Sequence, residues 1–114
     1  MARRSVTDHL KDVLQAIDAI AAYTKGGKDE FDSDEMIRDA VCVRLIQIGQ
    51  AVKDAQADGL NLAKVRPEIA WRKISGMRDL LAHKYALFDP AIGWRVVEDE
   101  LPRVREAVAA ILKK

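Results

Sequence analysis

One cysteine, three prolines and six glycines are all that the 114 residues hold of those types, and aromatics make up 5%. The lone Cys42 can close no disulfide within the chain, so the cytoplasm is the expected compartment. Cys42, His9 and His83 are far apart in sequence, which argues against a structural zinc site, and no metal or cofactor is expected. Scarce glycine and proline leave few breaks, which favours an all-helical chain. No apolar run approaches the roughly 20 residues that span a membrane. The opening MARRSVTDHLKD has two arginines but no apolar stretch behind them, so neither a secretory nor a twin-arginine signal is expected. An excess of one charge is also lacking: 19 Lys and Arg face 18 Asp and Glu, a net charge of +1. Proteins that live by non-specific phosphate binding are usually more basic. Any contact with nucleic acid must therefore come from a local cluster.

What is present is an ordinary globular balance, 49% apolar and 32% charged, in a length that fits a single domain over residues 1–114. A first helix is expected from near Ser5 to Thr24. Ser5 and Asp8 resemble a capping box, Leu10, Val13, Ile17, Ile20 and Ala21 form the stripe, and Gly26-Gly27 stops it. A long second helix starts near Ser33, carries Ala40, Val41, Leu45, Ile48 and Val52, and ends at the Ala-Asp-Gly of 57–59. Gly49 in its middle costs about 1 kcal/mol against alanine, which suggests close approach by a neighbouring helix. LNLAKVRP is a connector. Pro67 suits the first turn of a third helix that runs to about Lys84. Asp89-Pro90 reads as a cap followed by proline at the first helical position. A last helix follows with Trp94, Val97, Leu101, Val104, Val108 and Ile111 inward, and Pro102 should kink it near Glu98 to Leu101. The sum is an all-α, up-down bundle of four to five helices.

The third helix carries the chemistry. On a wheel of about 100° per residue, Ile74, Met77 and Leu81 form the core stripe. His83 falls nearly opposite, with Asp79 one turn back on the same side. Arg78 flanks the core stripe with a stem long enough to reach around. The plain reading of this face is solvated polar residues with a stray histidine. Against it stands Leu80, about 60° from His83 on the same wheel, which makes the outward face partly apolar and suggests that something covers it. Tyr85 is either an amphipathic cap on the core or a functional phenol. Arg72 and Lys73 add basic character to the rim. Arg38 and Arg44 are expected in salt bridges, either one bordering an RNA groove. His9 and the arginines at 3 and 4 read as solvated, and Cys42 as a small buried hydrophobe.

The stretch RDLLAHKY, within W-x-x-I-x-G-M-R-D-x-L-x-H-x-Y-x-x-x-D-x-x-x-x-W from Trp71 to Trp94, resembles the HepT-like branch of the HEPN superfamily. The LIQIGQAV of the second helix and the Glu-Leu-Pro of 100–102 share the likeness, which covers nearly the whole chain. The resemblance implies a helical homodimer with metal-independent ribonuclease activity, a toxin paired with a small MNT-type nucleotidyltransferase antitoxin. It places the catalytic residues at Arg78, Asp79 and His83, and the tyrosine that the partner modifies with AMP at Tyr85. Candidate RNA-binding residues are Arg72, Lys73 and Lys84. Two positions depart from the pattern: Asp79 stands where this branch more often has Asn, and Ala70 where a proline commonly precedes the tryptophan.

The residue types suit the reaction. In RNA the 2′-hydroxyl can attack the neighbouring phosphorus, given a base, an acid for the leaving 5′-oxygen, and cations for the developing charge. Histidine titrates near neutrality and serves as either acid or base. Arginine holds phosphate through paired hydrogen bonds. One chain supplies one suitable histidine here, and two copies facing across a two-fold axis supply both. The competing readings are a non-catalytic dimer that docks the nucleotidyltransferase or a nucleotide, and a purely structural helical dimer.

Overall fold

A computed structural model describes residues 4–84 and 89–113, with Lys84 described in its backbone alone. Every regular element among them is helical: α1 (Val6–Tyr23), α2 (Gly27–Ser33), α3 (Glu35–Ala57), α4 (Leu62–Val65), α5 (Trp71–Lys84), α6 (Pro90–Arg95) and α7 (Leu101–Leu112). A π-wound segment, Val96–Glu100, joins α6 to α7.

Local sequence accounts for most boundaries. Ser5 caps α1 in a full capping box: its hydroxyl accepts from the Asp8 amide, and the Asp8 carboxylate accepts from the Ser5 amide. That backbone hydrogen bond holds the Asp8 carboxyl below its usual range. Asp34 caps α3, one residue later than the expected Ser33, by accepting from the amides of Met36 and Ile37. Gly59 ends the turn after α3 at φ +109°, a left-handed position that suits glycine. Asp89 accepts from the Ala91 amide, with Pro90 at the first helical position, as the sequence suggests. Pro102 has no amide to offer the turn before it. The winding widens there, and the Leu101 amide donates five residues back, to the Val96 carbonyl.

Three expectations change. The glycine pair does more than stop α1: Gly27, at φ +86°, opens the extra helix α2, which buries Phe31 fully. Within the connector, Asn61 caps the short α4. Pro67 lies in a turn rather than a helix, and α5 begins four residues later. The Trp71 side chain sets that start: it is 3% exposed, and its indole N–H donates to the Arg66 carbonyl at 2.9 Å. On α1, Ala21 is exposed and Ala16 takes its place in the stripe.

Helix α3 is the centre of the bundle. α1 and α5 pack on it, and α7 closes over α1. The pairs run antiparallel: His9 at the start of α1 meets Asp58 at the end of α3, and Asp18 of α1 pairs with Arg105 of α7. Buried Val13, Ile20, Val41, Leu45, Ile48, Val52, Val104 and Val108 join these helices, and Phe31 stacks at a tilt on Trp94 with ring centres 5.4 Å apart. Phe31→Ala is expected to cost about 3–5 kcal/mol in urea unfolding, since the cavity lies between two elements that cannot both collapse into it.

Cys42 is 2% exposed, and burial, with the nearby Asp39 charge second, pushes its thiol up to about 11. At pH 7.5 the native protein is expected to resist a thiol reagent until it is unfolded. Reaction at the speed of a free thiol would place Cys42 outside the core. No helix among the described residues is long and apolar enough to cross a membrane.

Candidate active site on the outer face of α5

The packing of α5 on α3 sets the site. Gly49 marks a close approach of the two helices: a Cβ on it would lie 2.9 Å from both the Arg78 Cβ and the Ile74 carbonyl oxygen. This is the close approach that a mid-helix glycine suggests. Ile74 and Leu81 face inward at 7% and 6% exposure, with Trp71 beneath them and Met77 half-buried. With that side committed to the core, Asp79, Leu80 and His83 are turned outward, and all three are exposed.

Arg78 lies at the seam. Its stem starts over Gly49 and its guanidinium reaches out to solvent, where Nη1 donates to Asp79 Oδ1 at 2.8 Å. Asp79 Oδ2 lies 3.8 Å from Lys53 Nζ, across on α3. The hydrogen bond from Arg78 holds the Asp79 carboxyl below its usual range, and the charges of Lys53 and then of His83 act in the same direction. The Asp79 carboxylate is thus directed to Arg78 and Lys53.

Lys53 was missed in the sequence. The signal for it was the marked glycine: Lys53 follows Gly49 by four residues, one turn of α3, and so lies along the helix edge that α5 approaches. Arg72 precedes Asp79 by seven residues, two turns, and shares its face, whereas Lys73 is turned about 100° from Arg72. Both are exposed. The side chain of Lys84 and all of Tyr85 lie outside the described residues.

The surface around His83 is partly apolar. Leu80 is 57% exposed and Val43 of α3 54%. Val43, Ile46, Cys42, Leu81 and Ala82 line a shallow groove between α3 and α5. Exposed apolar side chains grouped around titratable ones are the pattern of a surface that another molecule covers.

Other candidates fall elsewhere. His9 is not solvated: it is 8% exposed, and its Nε2 lies 3.2 Å from Asp58 Oδ2. It ties α1 to the end of α3, a pairing across 49 residues that no local pattern displays. Arg38 donates to the carbonyls of Phe31 and Asp32 at the end of α2, and Arg44 to the Tyr23 hydroxyl and to Gln47. Their described hydrogen bonds are therefore to neutral groups, contrary to the salt bridges expected. The free carbonyls at a helix C-terminus attract cations as a carboxylate does. Arg4 pairs with Asp12.

Asp79→Asn keeps an oxygen for Arg78 and removes one charge from an exposed ion pair. We expect it to change RNA cleavage by less than about tenfold, as surface ion pairs are worth little. Equal loss in Asp79→Asn and His83→Ala would show that these roles are misassigned.

Comparison with known proteins adds to the geometry. Residues 13–111 match the family described as ribonuclease HepT-like. A Thermococcus cleftensis protein named as a ribonuclease HepT is 33% identical over 104 residues, 90% of this chain and 92% of that protein. A Methanocaldococcus jannaschii protein named as an RNase is 30% identical over 112 residues, 97% of this chain and 100% of that protein. A second protein of that organism, named as both a gamma-glutamylcyclotransferase and an RNase, is 30% identical over 113 residues, 98% of this chain. The chain spans 50% of that relative's length. No solved structure gives a significant match.

Proposed function

Because the chain belongs to the HepT-like ribonuclease family and is an RNase of the HEPN type, we propose that it cuts RNA in a crevice between two copies of itself, with Arg78 and His83 as the catalytic pair. The observation that carries this is the position of His83: exposed, one turn from Asp79, and on the same outer side of α5 as the exposed apolar Leu80. A histidine kept for packing would be inside, as His9 is. A second protomer laid on this face buries the apolar side chains and brings a second imidazole and guanidinium opposite the first.

The chemistry then follows. One His83, neutral, takes the proton of the 2′-hydroxyl as that oxygen attacks phosphorus. The other, protonated, gives its proton to the departing 5′-oxygen, leaving a 2′,3′-cyclic phosphate and a 5′-hydroxyl. The Arg78 guanidinium, freed from Asp79, donates to the non-bridging oxygens as charge builds on them. Arg72, on the face of Asp79, and the neighbouring Lys73 supply rim cations for the flanking phosphates, and Lys84, the residue after His83 in the sequence, is a further candidate. The test is a labelled RNA incubated with the purified protein and followed for those two ends, with sedimentation to determine the oligomeric state. A protein that cuts as a strict monomer would sink the shared crevice.

The setting we propose is a toxin–antitoxin pair. The partner is an MNT-type nucleotidyltransferase, and the switch is AMP transfer to Tyr85. The phenolic oxygen attacks the α-phosphorus of ATP, pyrophosphate leaves, and the phenol loses its proton. An added phosphate two residues after His83 sets negative charge beside the site and repels RNA. Tyr85→Phe is expected to gain no AMP by mass spectrometry after incubation with partner and ATP, and to remain toxic when the partner is co-expressed. Modification of other residues only would overturn this arm.

A second reading draws on the Arg78–Asp79 hydrogen bond, which occupies the arginine a nuclease needs. It is a non-catalytic dimer that docks the same partner or a nucleotide. Growth arrest on expression of wild type but not of His83→Ala separates the two.

A further inference from the structure

Asp79 sets a carboxylate beside the arginine that is to hold a phosphate, and the structure gives that carboxylate a second cation. Oδ1 accepts from Arg78 Nη1 at 2.8 Å, while Oδ2 lies 3.8 Å from Lys53 Nζ. Arg78 belongs to α5 and Lys53 to α3, so one carboxylate spans the two helices. We propose that Lys53 is a positioning residue of the RNA site, holding the Asp79 carboxylate so that Arg78 is released to the incoming phosphate. This role rests on the ribonuclease reading above.

Charge counting supports it. Arg78 and Asp79 alone form a neutral pair, in which phosphate must displace a carboxylate and leave it beside a second anion. With Lys53 the cluster carries two positive charges and one negative, and Asp79 keeps a partner when Arg78 turns away. The Lys53 and Asp79 side chains are 55% and 53% exposed, so the exchange happens in water and requires no buried charge to move. The same Gly49 that draws α5 onto α3 brings the two cations to one carboxylate. A chain with Asn at position 79 would have no such need of the lysine.

The test is a double-mutant cycle on binding, in full-length protein carrying His83→Ala so that RNA is bound without being cut. A short single-stranded RNA is titrated at low salt against four forms, with and without Lys53→Met and with and without Asp79→Asn. Lys53→Met is expected to weaken binding roughly three- to tenfold beside Asp79, and less than about twofold in the Asp79→Asn background. Lys53→Arg should restore binding. Without RNA, the titration of the Asp79 carboxyl carbon by NMR should move to higher pH in Lys53→Met, which a merely structural lysine would not cause. Equal losses in both backgrounds would mean that Lys53 contacts RNA directly, and no loss in either would remove it from the site. Both outcomes overturn the proposal. A wild-type chain that neither cuts nor binds RNA overturns the ribonuclease reading and this role together, and that is seen before any lysine variant is made.

Discussion

Replacing His83 with alanine is expected to lower RNA cleavage by at least about 10³-fold while the protein stays folded. General acid and base steps each contribute roughly 10²–10⁴-fold, and in a shared crevice one substitution removes both. His83 is exposed on α5 and fills no core position, so the change in stability should stay within about 0.5 kcal/mol. Cleavage rates under single-turnover conditions, with thermal unfolding as control, measure the two effects separately.

Mixing the two proteins sharpens the test. If acid and base come from different protomers, a dimer of one wild-type and one His83→Ala chain loses one of them. After subunit exchange at equal amounts, about a quarter of the dimers are fully wild type, and activity should fall to about that level. A fall to only about half would mean that each chain works alone, and the shared crevice would then be wrong.

The second large effect concerns Gly49. An added Cβ would meet the Arg78 Cβ and the Ile74 carbonyl oxygen at 2.9 Å and the Arg78 amide nitrogen at 3.0 Å. Two of those three contacts are backbone, so no side-chain rotation relieves them and α5 has to move. Alanine in place of a mid-helix glycine would otherwise gain about 1 kcal/mol. Overpacking outweighs that gain, and Gly49→Ala is expected to lose about 1–3 kcal/mol net, Gly49→Val more. Because the contact lies under Arg78, cleavage should also fall in protein that is still fully folded, measured well below its unfolding midpoint. If Gly49→Ala unfolds at a higher temperature than wild type, the close packing of the two helices is wrong.

The parts of this protein legible in its sequence are those with a short-range cause. Ser5 and Asp8 sit three residues apart and satisfy each other's amides, so the start of α1 can be read directly. Asp89 and Pro90 act on the next two residues, and Pro102 acts on the turn before it. Gly49 stood out because its cost in a helix demands a compensating contact. Arg78, Asp79 and His83 were singled out by spacing and resemblance together, as the wheel alone described a solvated face.

What the sequence hid was set by distance along the chain. Nothing near His9 announces Asp58, and a histidine between Asp8 and Leu10 reads as solvated until the end of α3 folds against it. Pro67 suggests a helix start on local grounds, but the buried Trp71 and its bond to the Arg66 carbonyl place it four residues later. Arg38 finds the carbonyl end of α2, a helix the glycine pair did not reveal.

The amino-acid order by itself determined that this chain is helical, where α1, α3 and α6 begin, and which helix carries the arginine and histidine, because caps, breaks and periodicity act within a turn or two. Only the tertiary structure decided that Asp79 bridges Arg78 to Lys53 and that His9 is a core residue. Those pairings join segments tens of residues apart, and they exist only once α3 has packed between its neighbours.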